Sequence, residues 1–250
     1  MKPTTRLRRS FPGNLLPPEV WSCIFHHATH VPGTLIPDIY AYAHLVGPDY
    51  SRTFRPHLRE ALITKRALVR VCKQWWHLAI PYSYRSLYIG RLDSLASLFR
   101  TLVNSAGGQS TIVTTRPLSE YAQQLDIVIH DRPMDLSFEF MLLNAIISHS
   151  SNLGILSFGL ATNFCGNKVP RDTLYALQDI APTLWVLDWS SSDLELSPIQ
   201  MTNLMPKCTQ LRVLNCPGVV WSRKLEPGGI PPSLTTLRAH RRIGPNHLNF

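Results

Sequence analysis

Over the C-terminal two-thirds of the chain, hydrophobic positions recur in one short form. "LGILSF" (153–158), "LWVLDW" (184–189), "LRVLNC" (211–216) and "LTTLRA" (234–239) all match L-x-x-L-x-apolar. "AQQLDIVI" (122–129) is a degenerate copy around Leu125 and Ile127, and "YRSLYI" (84–89), centred on Leu87, is a shorter relative. Short apolar runs of this kind predict buried strands. Between them lie segments with helical spacing: "LDSLASLFRTLV" (92–103), "DLSFEFMLLNAIISH" (135–149), "DTLYALQDIA" (172–181) and "PIQMTNLM" (198–205). Strand alternating with helix predicts an α/β arrangement.

The second leucines of the five copies, Leu125, Leu156, Leu187, Leu214 and Leu237, are spaced by 31, 31, 27 and 23 residues. Leucine-rich repeats run at about 20–29 residues, so these units are long and irregular. One strand-plus-helix unit cannot bury its own apolar face, whereas stacked units share a continuous core. Residues 83–240 are therefore expected to form an irregular leucine-rich-repeat-like α/β solenoid of about five units. The alternative is an α/β domain whose buried strands look alike. Neither architecture supplies a catalytic centre. Residues 241–250 read as a basic tail. The last unit lacks an evident polar cap, which leads us to expect a truncated chain or a frayed end.

The N-terminal part has a different pattern. Residues 1–13 form a basic tail expected to be disordered, and residues 14–82 a small helical module. Pro17, Pro18 and Glu19 suit a helix start, predicting a helix over 18–29 that Val31-Pro32-Gly33 stops. Residues 31–56, with four prolines and two glycines, read as an inserted loop with a short helix around 39–45. A helical stretch resumes near His57 and is expected to end before Pro81. Placed on one helical wheel, 67–80 has an apolar arc of about 200°, twice an ordinary surface stripe. Excess apolar surface in a small helical unit reads as half of an interface.

Composition narrows the function. The net charge of +9 is concentrated in residues 1–90, which hold 12 basic against 4 acidic residues. That favours an acidic partner, anionic lipid or nucleic acid for the N-terminal part. Five cysteines without a C-x-x-C motif, and no N-x-[ST] sequon, point to a reducing compartment, cytoplasmic or nuclear. No run approaches the ~20 apolar residues of a membrane span, so no membrane partner is expected.

"LLPPEVWSCIFHHA" followed by "ALVRVCKQWWHLAIPYSYRSLYI" resembles the F-box motif: L-P-x-E-[IV]-x-x-x-I-F, then L-x-x-V-C-K-x-W-x-x-L-A, then a Tyr/Leu-rich strand. It is most similar to F-box-like proteins of higher fungi, in which the motif precedes a degenerate leucine-rich-repeat region. The resemblance implies a substrate receptor. Its F-box would bind the Skp-type adaptor, and through it a cullin, of a Skp–cullin–F-box ubiquitin ligase. The C-terminal region would recruit a target protein whose identity the sequence leaves open. Such a chain is a non-catalytic subunit without cofactor or metal. Carried over by position, the adaptor-facing residues, together with the small F-box core, are Leu16, Pro17, Glu19, Ile24, Phe25, Leu68, Val71, Cys72 and Trp75. Two features depart from the pattern. The insertion at 31–56 must loop out if the adaptor is to dock, and Trp76 stands where a polar residue is usual.

Other chemistry fares less well. Cys23, His26, His27 and His30 are the right types for zinc, but four ligands from one helix cannot wrap an ion tetrahedrally. "SAGGQST" (105–111) lacks the Gly-Lys-[Ser/Thr] of a phosphate loop. The carboxylates are scattered, so no acid–base pair stands out. A non-enzymatic interaction scaffold, or a basic nucleic-acid-binding protein, is the alternative function. Against the latter, Trp75 and Trp76 fall away from Arg70 and Lys73 on the wheel, whereas stacking platforms need aromatic and cationic groups on one face.

Overall fold

A computed structural model describes residues 16–42, 50–106, 116–134, 138–162, 168–189, 192, 194–217 and 230–240. The expected tails, most of the glycine-containing loop and Cys165 lie outside these residues.

The strand pattern of the sequence becomes a six-stranded parallel sheet in chain order: β1 (Ser86–Ile89), β2 (Gln124–Met134), β3 (Ile155–Thr162), β4 (Val186–Asp188), β5 (Val213–Pro217) and β6 (Thr236–His240). The register aligns Leu87, Leu125, Leu156, Leu187, Leu214 and Leu237 across all six strands. Recurrence of leucine at that position thus has a direct cause, since each leucine is the in-register neighbour of the next. The junctions repeat too. The carbonyls of Gln123, Gly154, Trp185 and Arg212 each accept two backbone N–H bonds from the start of the following strand. At Gly154 a Cβ would lie 3.2 Å from the Trp185 ring, a tight contact that the indole would have to relieve by shifting a few tenths of an ångström.

Side chains alternate between the faces of a strand. The aligned leucines from Leu87 to Leu214 point into one core with α5 (Leu92–Ala106), α6 (Phe138–His149), α7 (Arg171–Ile180) and α8 (Pro198–Leu204). The apolar residue two places on, Ile127, Phe158, Trp189 or Cys216, joins the same core. The Trp189 ring lies 4.2 Å from that of Phe158, tilted by 48°, and its indole N–H donates to the carbonyl of Leu194. All four helices predicted between the strands are present. Ser197 and Gln200 form a reciprocal capping box at the start of α8, and Gln200 also donates to the carbonyl of Val169 ahead of α7.

Among the described residues four helices precede the sheet: α1 (Pro18–Thr29), α2 (Pro37–Tyr42), α3 (Tyr50–Val71) and α4 (Lys73–Arg85). The predicted limits of α1 hold. Two other expectations do not. The stretch 67–80 is not one helix: Cys72 is extended (φ −161°, ψ 169°), and its Sγ caps α4 by accepting from Trp75 N–H. Nor does the second helix stop before Pro81, since α4 runs on to Arg85 with Pro81 inside it. That proline forfeits one backbone bond, to the carbonyl of His77. The wide apolar arc therefore belongs to two helices with separate surroundings. Trp75 stacks toward α1, while Trp76, Ile80 and Tyr84 meet the core beneath the sheet.

The described part of the insertion does not project outward as expected but folds back across the sheet, where it leaves Leu16, Val20 and Ile24 exposed. Val31 is buried with Leu58 and Ala61 of α3. Tyr40 and Ala41 of α2 cover Ile155, Val186 and Val213, on the sheet face opposite the leucines. Both faces of β3–β5 are thus covered, as expected for parallel strands. Among the described residues, no helix is long and apolar enough to cross a membrane.

Candidate docking face

Helix α1 begins with Pro18 at its first position, where the missing N–H costs nothing, and with Glu19 in the first turn. Its inner side is aromatic. Phe25 is fully buried, with its ring 5.0 Å from Trp75 and 5.9 Å from Trp21, and Trp21 lies 4.7 Å from Trp75. Ser22 and Tyr82 share a hydroxyl–hydroxyl hydrogen bond that ties α1 to α4. The indole nitrogen of Trp21 is buried without a partner. Its burial is a cost that the surrounding ring contacts must offset.

The outer side of α1 is apolar as well, and nothing among the described residues covers it. Leu16, just ahead of the helix, and Val20 and Ile24 on it are 39%, 41% and 41% exposed, and the four-residue spacing of Val20 and Ile24 sets those two on one side of α1. Pro17, Glu19 and Cys23 are exposed beside them. At the α3–α4 junction Val71 and Cys72 are also exposed, within one turn of Trp75.

The nine positions carried over from the motif therefore separate into three groups. Leu16, Pro17, Glu19, Ile24, Val71 and Cys72 are open to a partner. Leu68 and Trp75 are half-buried, and Phe25 belongs entirely to the internal cluster. Val20 was missed, although its place between Leu16 and Ile24 was readable from the spacing. Trp76 is half-buried and lines a cavity of about 350 Å³ with Val69, Ile80, Tyr84 and Leu87. Its bulk packs toward the first strand.

Two buried polar groups had no sequence signal. Lys65 lies on α3 with only 6% of its surface exposed. Its amine is 3.4 Å from the carbonyl of Ser86, and burial, then the charge of Arg85, lowers its pKa to about 8. Asp126 lies on β2 under α2. Gln124 Nε2 donates to Asp126 Oδ2 (2.6 Å) and to the Tyr40 hydroxyl (2.9 Å), and that hydroxyl donates to Asp126 Oδ1 (3.3 Å). Burial raises the Asp126 pKa to about 7, with Asp188 adding to the rise and the bonds from Gln124 and Tyr40 opposing it.

The rings of His26, His27 and His30 approach one another (5.6 Å between centroids), but no group of three or more His, Cys, Asp or Glu suited to a metal ion occurs among the described residues. A scan against protein-family models finds no match, and no curated protein matches the chain.

Proposed function

We propose that the chain is an F-box-type substrate receptor, a non-catalytic subunit of a Skp–cullin–F-box ubiquitin ligase. Its α1 face docks the Skp-type adaptor, and the sheet domain, read as a leucine-rich-repeat-type solenoid, recruits a target. The observation that carries the reading is the exposed set Leu16, Val20 and Ile24. This apolar surface, at the entry to α1 and along it, is left exposed, while Phe25 and Trp21 on the other side of the helix pack against Trp75 of α4. Exposed contiguous apolar surface of this kind marks a protein-binding site. The solenoid reading is supported by the in-order parallel strands, the leucine alignment and the repeated two-bond junctions.

The test is co-purification of the chain with a Skp-type adaptor, wild type against the double variant Leu16→Asp, Ile24→Asp. Both side chains are exposed, so the variant keeps its fold, whereas replacing the buried Phe25 would cost about 3–5 kcal/mol and confuse folding with binding. Two charges set into an apolar contact are expected to lower adaptor recovery by about tenfold or more. Undiminished recovery sinks the docking face. If the wild type recovers no adaptor, the chain is an interaction scaffold without a ligase role.

A further inference from the structure

A second site lies on the other side of the helical region, independent of the adaptor reading. The end of α1, the turn after it, the middle of α3 and the α4–β1 junction enclose a cavity of about 30 Å³. That is about twice the space one water needs. Its lining includes His26, His30, Lys65, Tyr82, Arg85 and Ser86, and no Asp or Glu. Lys65 and Arg85 have no carboxylate partner among the described residues: Lys65 reaches only the Ser86 carbonyl, and Arg85 donates through Nε to Gln123 Oε1 (2.9 Å). Burying an ammonium beside a guanidinium without an anion is costly, because each charge loses water and gains a like neighbour.

The donors facing this space can be accounted for. The hydroxyls of Thr29 and Thr34 are spent on the backbone carbonyls of Phe25 and Val31. The Tyr82 hydroxyl is engaged with Ser22. Ser86 Oγ, by contrast, is buried with no hydrogen-bond partner. An ammonium has three donors and a guanidinium five, so Lys65 and Arg85 each keep donors free. The cavity thus collects unspent donors and positive charge and holds no negative charge.

We propose that this cavity binds one tetrahedral oxyanion group of the phosphate class, held by Lys65, Arg85 and the Ser86 hydroxyl, with His26 and His30 completing the ring of donors. The anion supplies the missing countercharge and the missing acceptor together, and charge-assisted hydrogen bonds to it are stronger than those to neutral partners. The small volume admits the oxyanion group itself and leaves any body attached to it outside the cavity.

The experiment is calorimetric titration of the full chain with inorganic phosphate, and separately with O-phosphoserine, at constant ionic strength. Wild type, Lys65→Met and Arg85→Met are compared. Saturable binding is expected in the wild type, with Kd raised by about tenfold or more in each variant. Thermal melts provide a second readout. Without phosphate, Lys65→Met melts at or above the wild-type temperature, because a buried unpaired charge is gone, and phosphate no longer raises its midpoint. Tighter binding of inorganic phosphate than of phosphoserine identifies a free anion as the ligand, and the reverse order identifies a phosphorylated segment. No saturable binding of either ligand overturns the proposal, as does wild-type affinity in both variants.

Discussion

At the scale of single residues, the sharpest feature is a carboxyl group sealed between two elements. Asp126 is bonded to Gln124 and Tyr40 and has Asp188 as a like-charged neighbour. Its pKa stands at about 7 in the fold against 3.8 for an ordinary aspartate. The folded state therefore holds this proton more tightly than the unfolded chain does. The stability Asp126 contributes is complete below the ordinary value and is lost as pH rises through about 7. Asp126→Asn keeps the shape and removes the titration. Its thermal midpoint is expected to exceed that of the wild type near neutral pH and to vary less between about pH 4 and 8. Parallel midpoint curves for the two proteins would contradict this account. Nothing in the local sequence "QLDIVI" announced the role of Asp126, because Tyr40 lies 86 residues away and comes from a segment that reads as loop. Lys65 was hidden for the same reason: the surfaces that bury it arrive from elsewhere in the chain.

At the scale of elements, legibility followed the range of the interactions. The leucine strands and helices α5–α8 were readable because each repeats a local pattern with one buried face. The start of α1 was readable from two prolines and a glutamate. The break at Cys72 was not, because it uses neither glycine nor proline, and a cysteine thiolate or thiol is an unusual cap. Helix α2 was expected as a short piece of an outward loop, yet it is tied down across the sheet. Leu35, at φ 63°, donates its N–H to Gln124 Oε1, and Asn215 Nδ2 donates to the Tyr40 carbonyl. A leucine in the left-handed region is strained by about 1 kcal/mol or more, so these ties must offset it. Tyr40→Ala removes the ring and both hydroxyl bonds, and is expected to destabilise the chain by about 2–4 kcal/mol. Backbone exchange should then accelerate in 155–157, 186–188 and 213–215, the strand segments under α2. Unchanged exchange there would show that α2 contributes nothing to covering the sheet.

At the scale of the whole molecule, the two sheet faces have different fates. The leucine face is filled by α5–α8, and the opposite face over β3–β5 is occupied by the chain's own α2. Under the proposed reading, a target recruited by the sheet domain uses surface beyond α2 or displaces it. The N-terminal helices are joined to the sheet through α2 and α4, with Trp75 of α4 turned to α1 and Trp76 to the sheet core. That linkage accounts for Trp76, at a position where the F-box pattern that the sequence resembles usually has a polar residue. It also leaves Leu16, Val20 and Ile24 as exposed apolar residues at the entry to α1 and along it.

The proposed docking is tested most directly by hydrogen–deuterium exchange on the full chain, with and without a purified Skp-type adaptor. The account predicts added protection in residues 16–30 and around the α3–α4 junction at 68–78, with the sheet strands unchanged. Protection confined to the sheet, or no change anywhere, would contradict it.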